Sequence, residues 1–76
     1  MLITLSEMKP KQRGTIVKVA GGGHANKRIA EMGVVAGTPI EIERVAPLGD
    51  PIDIVVKGYH LSLRKDEAKN IMVDVQ

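Results

Sequence analysis

From Thr38 to Val75 the chain shows one pattern four times: a short run with an apolar residue at every second position, the first two closed by turn-forming residues. In Thr38–Val45, Ile40 and Ile42 alternate with Glu41 and Glu43. In Ile52–Lys57, Ile52, Ile54 and Val56 alternate with Asp53, Val55 and Lys57, and Gly58 ends the run. Tyr59, Leu61 and Leu63 then alternate with His60, Ser62 and Arg64, and Ile71, Val73 and Val75 with Met72 and Asp74. A period of two puts one face of each run in a core and the other in water, as in half-buried strands. Arg13–Val19 adds a fifth run, with Thr15, Val17 and Val19 on one face and Ile16 and Lys18 on the other. Five short strands with close turns predict a mainly β fold, a small closed or half-closed barrel. Closure removes the sheet edges that invite association.

One stretch reads as a helix. Within His24–Met32, Ala25, Ile29 and Met32 form a stripe at helical spacing, and Gly33 follows where a left-handed C-cap takes glycine. Lys27 and Arg28 lie off the stripe and are predicted to face solvent. This helix falls between the first and second predicted strands. Near the N-terminus, Thr4-x-x-Glu7 reads as a capping box, with Ile3 and Met8 at the positions of a hydrophobic staple. It predicts a helical turn ended before Pro10, with Leu5 and Met8 lidding the core. Lys65–Asn70 fits one further helical turn.

Composition narrows what such a chain does. Its 76 residues make one domain, taken as 1–76, too small for an enclosed active site. No cysteine is present, which removes disulfides, thiolate nucleophiles and thiolate metal sites. No apolar run approaches the ~18 residues of a spanning helix, and Met1-Leu2-Ile3 is too short for a signal peptide, so a cytoplasmic location is expected. A single Tyr, with no Trp or Phe, argues against single-stranded nucleic-acid readers and proline-peptide grooves. Net charge is +2, with six basic and two acidic side chains in residues 1–38 and five basic and seven acidic in 39–76. That polarity can steer a partner but is no nucleic-acid footprint.

Candidate chemistry is sparse. Gly21-Gly22-Gly23 ahead of a helix could cradle an anion with its N–H groups, aided by Lys27 and Arg28, but it matches neither GxGxxG nor GxxxxGK. Its plainer reading is a sharp strand-to-helix corner. His24 and His60 are the only histidines. Neither sits in an HxH or HxxxH spacing, and as weak divalent-metal ligands they would need carboxylates such as Asp50 or Asp53. Solvated, isolated imidazoles are the simpler expectation. Asp50 and Asp53 flank Pro51, where a carboxylate more often caps backbone than performs acid–base work. Aliphatics outside the inward pattern say more: Val34 and Val35 in a loop, Leu48 at a turn tip, and Ile16, Val55 and Met72 on outward strand positions. A contiguous cluster of these would mark a docking face.

Several segments, in this order and spacing, resemble the FeoA family of bacterial ferrous-iron-transport accessory proteins. They are Gly21-Gly22-Gly23, Arg28-Ile29-Ala30-Glu31-Met32-Gly33, Gly37-Thr38-Pro39-Ile40, Ala46-Pro47-Leu48-Gly49-Asp50-Pro51, Gly58-Tyr59-His60-Leu61-Ser62-Leu63-Arg64 and Glu67-Ala68. The Ala-Pro-Leu-Gly-Asp-Pro and Gly-x-x-Leu-x-Leu-Arg segments together are the specific part. Ile29, Ala30 and Met32 stand where more leucine is expected, which alters helix packing. The resemblance implies a small SH3-like five-stranded barrel with one inserted short α-helix. The C-terminal domain of iron-dependent repressors of the diphtheria-toxin-repressor type shares that fold. With no DNA-binding helices ahead of the barrel, an accessory protein is expected rather than a repressor. The implied function is non-enzymatic, through a FeoB-type membrane GTPase that imports Fe²⁺, with no nucleic acid and no resident cofactor. Contact candidates are Lys27, Arg28, Val34, Val35 and Leu48. The alternatives are a sensor that binds Fe²⁺ weakly through His24 or His60, and a GTPase-activating partner with Arg28 as its finger. A weak homo-oligomer is a further expectation.

Overall fold

The computed structural model describes residues 1–20 and 27–76 in full and residues 24–26 by their backbone. Strands β1 (Leu2–Thr4), β2 (Arg13–Val19), β3 (Pro39–Val45), β4 (Ile52–Val56), β5 (Tyr59–Leu63) and β6 (Ile71–Val75) form one antiparallel sheet in the order β1-β6-β2-β3-β4-β5. Helix α1 (His24–Glu31) stands between β2 and β3, and α2 (Lys65–Ala68) between β5 and β6. The Cα extents of 27 × 24 × 23 Å are too even for a flat layer of six strands, so the sheet wraps around its own core.

The alternating runs became strands for the reason their spacing gives. In β4, Ile52, Ile54 and Val56 are buried while Asp53 and Val55 are only half-buried. Leu61 and Leu63 of β5 and Ile71, Val73 and Val75 of β6 face the same core. Leu5 and Met8 close one end of it as expected, although Leu5–Glu7 is a 3-10 turn. The Thr4 hydroxyl there donates to the Glu7 carboxylate at 3.0 Å instead of capping backbone.

Four expectations need correction. The sheet has six strands, not five, while α2 is the helical turn that Lys65–Asn70 predicted. Leu2–Thr4 is too short to show a period, yet it pairs with β6. The phase read for β2 fails ahead of Lys18, where Ile16 is buried and Val17 is 49% exposed, and holds at Val19, which packs against the core. A register shift between Ile16 and Lys18 against β6 inserts one residue, so Val17 and Lys18 both face out. The same happens in β3, where a shift between Ile42 and Arg44 leaves Glu43 and Arg44 both exposed. These bulges bend the two strands and let the sheet wrap. Val34, expected on the surface, is fully buried, and Arg28 does not simply face solvent.

The C-terminus of α1 explains Val34. Gly33, at φ +85°, donates its N–H to Ala30 O at 3.0 Å, and Val34 donates to Ile29 O at 3.2 Å. That is the Schellman arrangement, which folds the residue after the glycine back onto the last turn. Val34 therefore packs into the core with Ile29. Val35, one residue on, is 40% exposed.

Candidate functional site

A cleft of about 620 Å³ opens between α1, the end of β5 and α2. Its lining carries Arg28 from α1, Pro51, Ser62 and Leu63 of β5, and Arg64, Asp66 and Glu67. Glu67 organises the cleft. Its Oε1 accepts the backbone N–H of Arg64 at 2.9 Å, satisfying a donor at the start of α2. Its Oε2 takes the guanidinium of Arg28, so the pair ties α1 to α2 across 39 residues of sequence. Burial would push the Glu67 carboxyl up. The Arg64 N–H and the Arg28 guanidinium, with the Arg64 charge behind them, outweigh burial and hold it below its ordinary value.

The Ala46–Pro51 loop is anchored to the same place. Gly49 donates to Ala46 O at 2.7 Å, and Asp50 Oδ1 accepts the Lys65 N–H, the first of α2, at 3.1 Å. Asp50 thus caps backbone, as its setting among turn residues suggested. Leu48 stands at the loop tip, 91% exposed, while Pro51 of the same loop lines the cleft.

The contact residues expected from sequence divide. Arg28 reaches the cleft, its side chain half-exposed and engaged by Glu67. Lys27, Val35 and Leu48 are exposed, and Val34 belongs to the core. The Gly21-Gly22-Gly23 loop, proposed as an anion cradle, lies outside the described residues, as do the side chains of His24 and Ala25. His60 is outward but not isolated: its Nδ1 lies 2.8 Å from Glu43 Oε2, across β4. Among the described residues no group of three His, Asp or Glu side chains could hold a metal ion. Ser62 donates to Asp53 Oδ1 at 2.5 Å, not to an imidazole, so no nucleophile–base pair is assembled there. Arg64 was missed as a candidate. It ends the Gly-x-x-Leu-x-Leu-Arg segment, and among the described residues its side chain has no ion-pair partner.

Fold and site together define a small SH3-like β domain with an open, charged cleft and no catalytic constellation among the described residues. No helix among them is long and apolar enough to cross a membrane. The FeoA-domain family model matches residues 3–75, and the chain belongs to the FeoA family. An Fe(2+) transport protein A/Fe(2+) transporter FeoB fusion protein of Porphyromonas gingivalis is 41% identical over 71 residues, which are 93% of this chain and 8% of that relative. The chain therefore spans less than a tenth of that relative's length. The crystal structure of an iron uptake regulatory protein (FeoA) superposes at a TM-score of 0.91 and 33% identity, covering 100% of both chains. The NMR structure of a FeoA-like protein from Clostridium acetobutylicum gives 0.88 at 43% identity, covering 97% of this chain and 86% of that one. T. acidophilum IdeR shares the fold, at a TM-score of 0.89 and 24% identity, over 99% of this chain and 34% of its own.

Proposed function

We propose that this chain is a cytoplasmic, non-enzymatic accessory domain of ferrous-iron uptake that docks on the cytosolic part of a FeoB-type membrane GTPase. One observation carries the reading: in the Porphyromonas gingivalis relative this domain and the FeoB transporter are a single polypeptide. Fusion keeps two modules at high effective concentration, which serves a domain whose work is done on the other. The corner around the cleft supports a docking role. Arg64 in the cleft lining and exposed Lys27, next to Arg28 in sequence, offer positive charge, and Leu48 offers an exposed apolar tip on a loop fixed to α2 by Asp50. An exposed apolar anchor beside charge suits an interface hot spot with a steering rim. The arginine-finger alternative loses support at Arg28, whose guanidinium is already held by Glu67.

The test is a titration of this chain against the cytosolic domain of a FeoB transporter, at low and moderate salt. Saturable binding is expected, with association slowed by Lys27→Glu and by salt. A FeoB domain that binds neither the separate chain nor a version joined to it by a flexible linker would refute the reading.

A further inference from the structure

The two ends of the sheet are defended differently. β1 has three residues, and its chain end is tied down: the Met1 ammonium reaches Asp74 Oδ1 at 3.1 Å and Val75 O at 3.0 Å. At the other end, β5 has five residues in unbroken register with β4. It carries no proline, no lysine or arginine and no bulge, the devices by which edge strands avoid pairing. Lys57 (φ 51°) and Gly58 (φ 83°) join β4 to β5 as a two-residue turn with both centres left-handed. Such a turn makes its flanking pair, Val56 and Tyr59, a hydrogen-bonded one. Alternation then makes Ile54–Leu61 and Ile52–Leu63 hydrogen-bonded pairs too. The N–H and C=O groups of His60 and Ser62 therefore point away from β4. Among the described residues no hydrogen bond meets them.

We propose that this edge binds an extended segment of a partner protein as a seventh strand, and that the segment carries Lys or Arg at alternate positions. The backbone dictates an extended peptide, because only a strand offers donors and acceptors at matching intervals. The side chains dictate the charge. An added strand sets its outward residues against His60, held by Glu43, and Ser62, held by Asp53. Those two carboxylates have no lysine or arginine within ion-pair distance among the described residues; Arg44, opposite Asp53 in register, makes no pair with it. Cationic side chains at positions i and i+2 of the segment would meet one carboxylate each. The proposal differs from docking at the cleft corner in what it uses, the outward backbone groups of β5 and the outer face of β3-β4-β5, although Ser62 and Leu63 also line the cleft.

The probe is a capped hexapeptide of alternating lysine and valine, titrated into the isotope-labelled chain and followed by amide NMR. Saturable shifts centred on the His60 and Ser62 amides are expected, with slowed hydrogen exchange at both. The same peptide with glutamate for lysine should bind about tenfold more weakly. Ser62→Pro removes one outward N–H without touching the β4 ladder and should abolish the response. Glu43→Gln with Asp53→Asn leaves the backbone alone and should erase the preference for lysine, so the proposal stays testable even if the proline variant fails to fold. Silent His60 and Ser62 amides, or an equal response to both peptides, would overturn it. So would a dimer in sedimentation that Ser62→Pro dissolves, since the edge would then serve a second copy.

Discussion

β4 and α1 both bury an apolar stripe, but they are held by different forces. β4 lies between two strands, and its three inward residues are almost wholly removed from water. Burial and the ladders to β3 and β5 hold it along its whole length. Among the fully described residues of α1 only Ile29 is buried, with Met32 just beyond the helix partly so. The helix is fastened at points instead: a left-handed glycine turning Val34 into the core, and the Arg28–Glu67 pair reaching α2. The strand should therefore yield only to lost volume. The helix corner should yield to single polar or backbone changes that leave the core untouched.

The largest expected effect is in the strand. Ile54→Ala removes a fully buried side chain from the middle of β4, at a cost of about 2–5 kcal/mol in urea melts. Against a total stability of ~5–10 kcal/mol for a domain this size, the variant would be marginal. Val55→Ala, on the half-buried face, should cost well under half as much. Equal losses at the two positions would remove the distinction between faces.

Next comes the tie between α1 and α2. Glu67→Gln keeps the shape but loses the charge that Arg28 and the Arg64 N–H hold. About 1–2 kcal/mol is expected, since the Arg28 head is half in water and keeps part of its hydration. The pH dependence identifies this contribution. The folded-state pKa of Glu67 lies below its ordinary value of 4.5, so the stabilisation is complete above that value and fades as pH falls through the folded pKa. Melts of wild type and Glu67→Gln should therefore converge in acid and differ at neutral pH. A constant gap across that range would assign the loss to shape.

Gly33→Ala is smaller and acts on the backbone alone. At φ +85° an L-residue is strained, while the nearest atoms to a new Cβ belong to the flexible Lys57 side chain at 3.4 Å. About 1 kcal/mol is expected from conformation, with little from crowding. Gly33→Asn should recover part of the loss, because Asn tolerates the left-handed region better than Ala.

The same contrast marks what could be read from sequence. β4, β5 and β6 were legible because their alternation runs unbroken and each has one buried face. β2 was misread on the N-terminal side of the residue inserted at Val17: a single phase carried back from Val19 puts Ile16 outside, because a bulge changes the phase without changing composition. Val34 was legible in principle: the residue after a C-cap glycine commonly packs on the last helical turn, and Val34 follows Gly33. The Arg28–Glu67 pair was not legible, because no local pattern links positions 39 apart. Glu67 looked like one more charge in a short helix, and Arg28 like a solvated one. Arg28 was already a contact candidate, but its tie to Glu67 emerged only once the sheet had brought α1 beside α2. Asp50 was read correctly as a capping residue, though its partner, the N–H of Lys65, lies 15 positions away.

The smallest effect on stability is expected at Leu48, and there it carries the most functional information. The side chain is 91% exposed, so truncation loses almost no buried area, and Leu48→Ala should stay within about 0.5 kcal/mol of wild type. The loop beneath it keeps its form, because the Gly49–Ala46 and Asp50–Lys65 hydrogen bonds do not involve the Leu48 side chain. An exposed leucine held this rigidly is poor for solubility and well suited to insertion in a partner's pocket, where desolvation at the centre of an interface concentrates binding energy. Leu48→Ala should accordingly weaken binding to the FeoB cytosolic domain by about tenfold or more, chiefly through faster dissociation. Lys27→Glu at the rim should act mainly on association and lose its effect at high salt. Dissociation rates for the two variants, measured side by side, decide the matter: if Leu48→Ala leaves the dissociation rate unchanged, the loop tip is outside the interface.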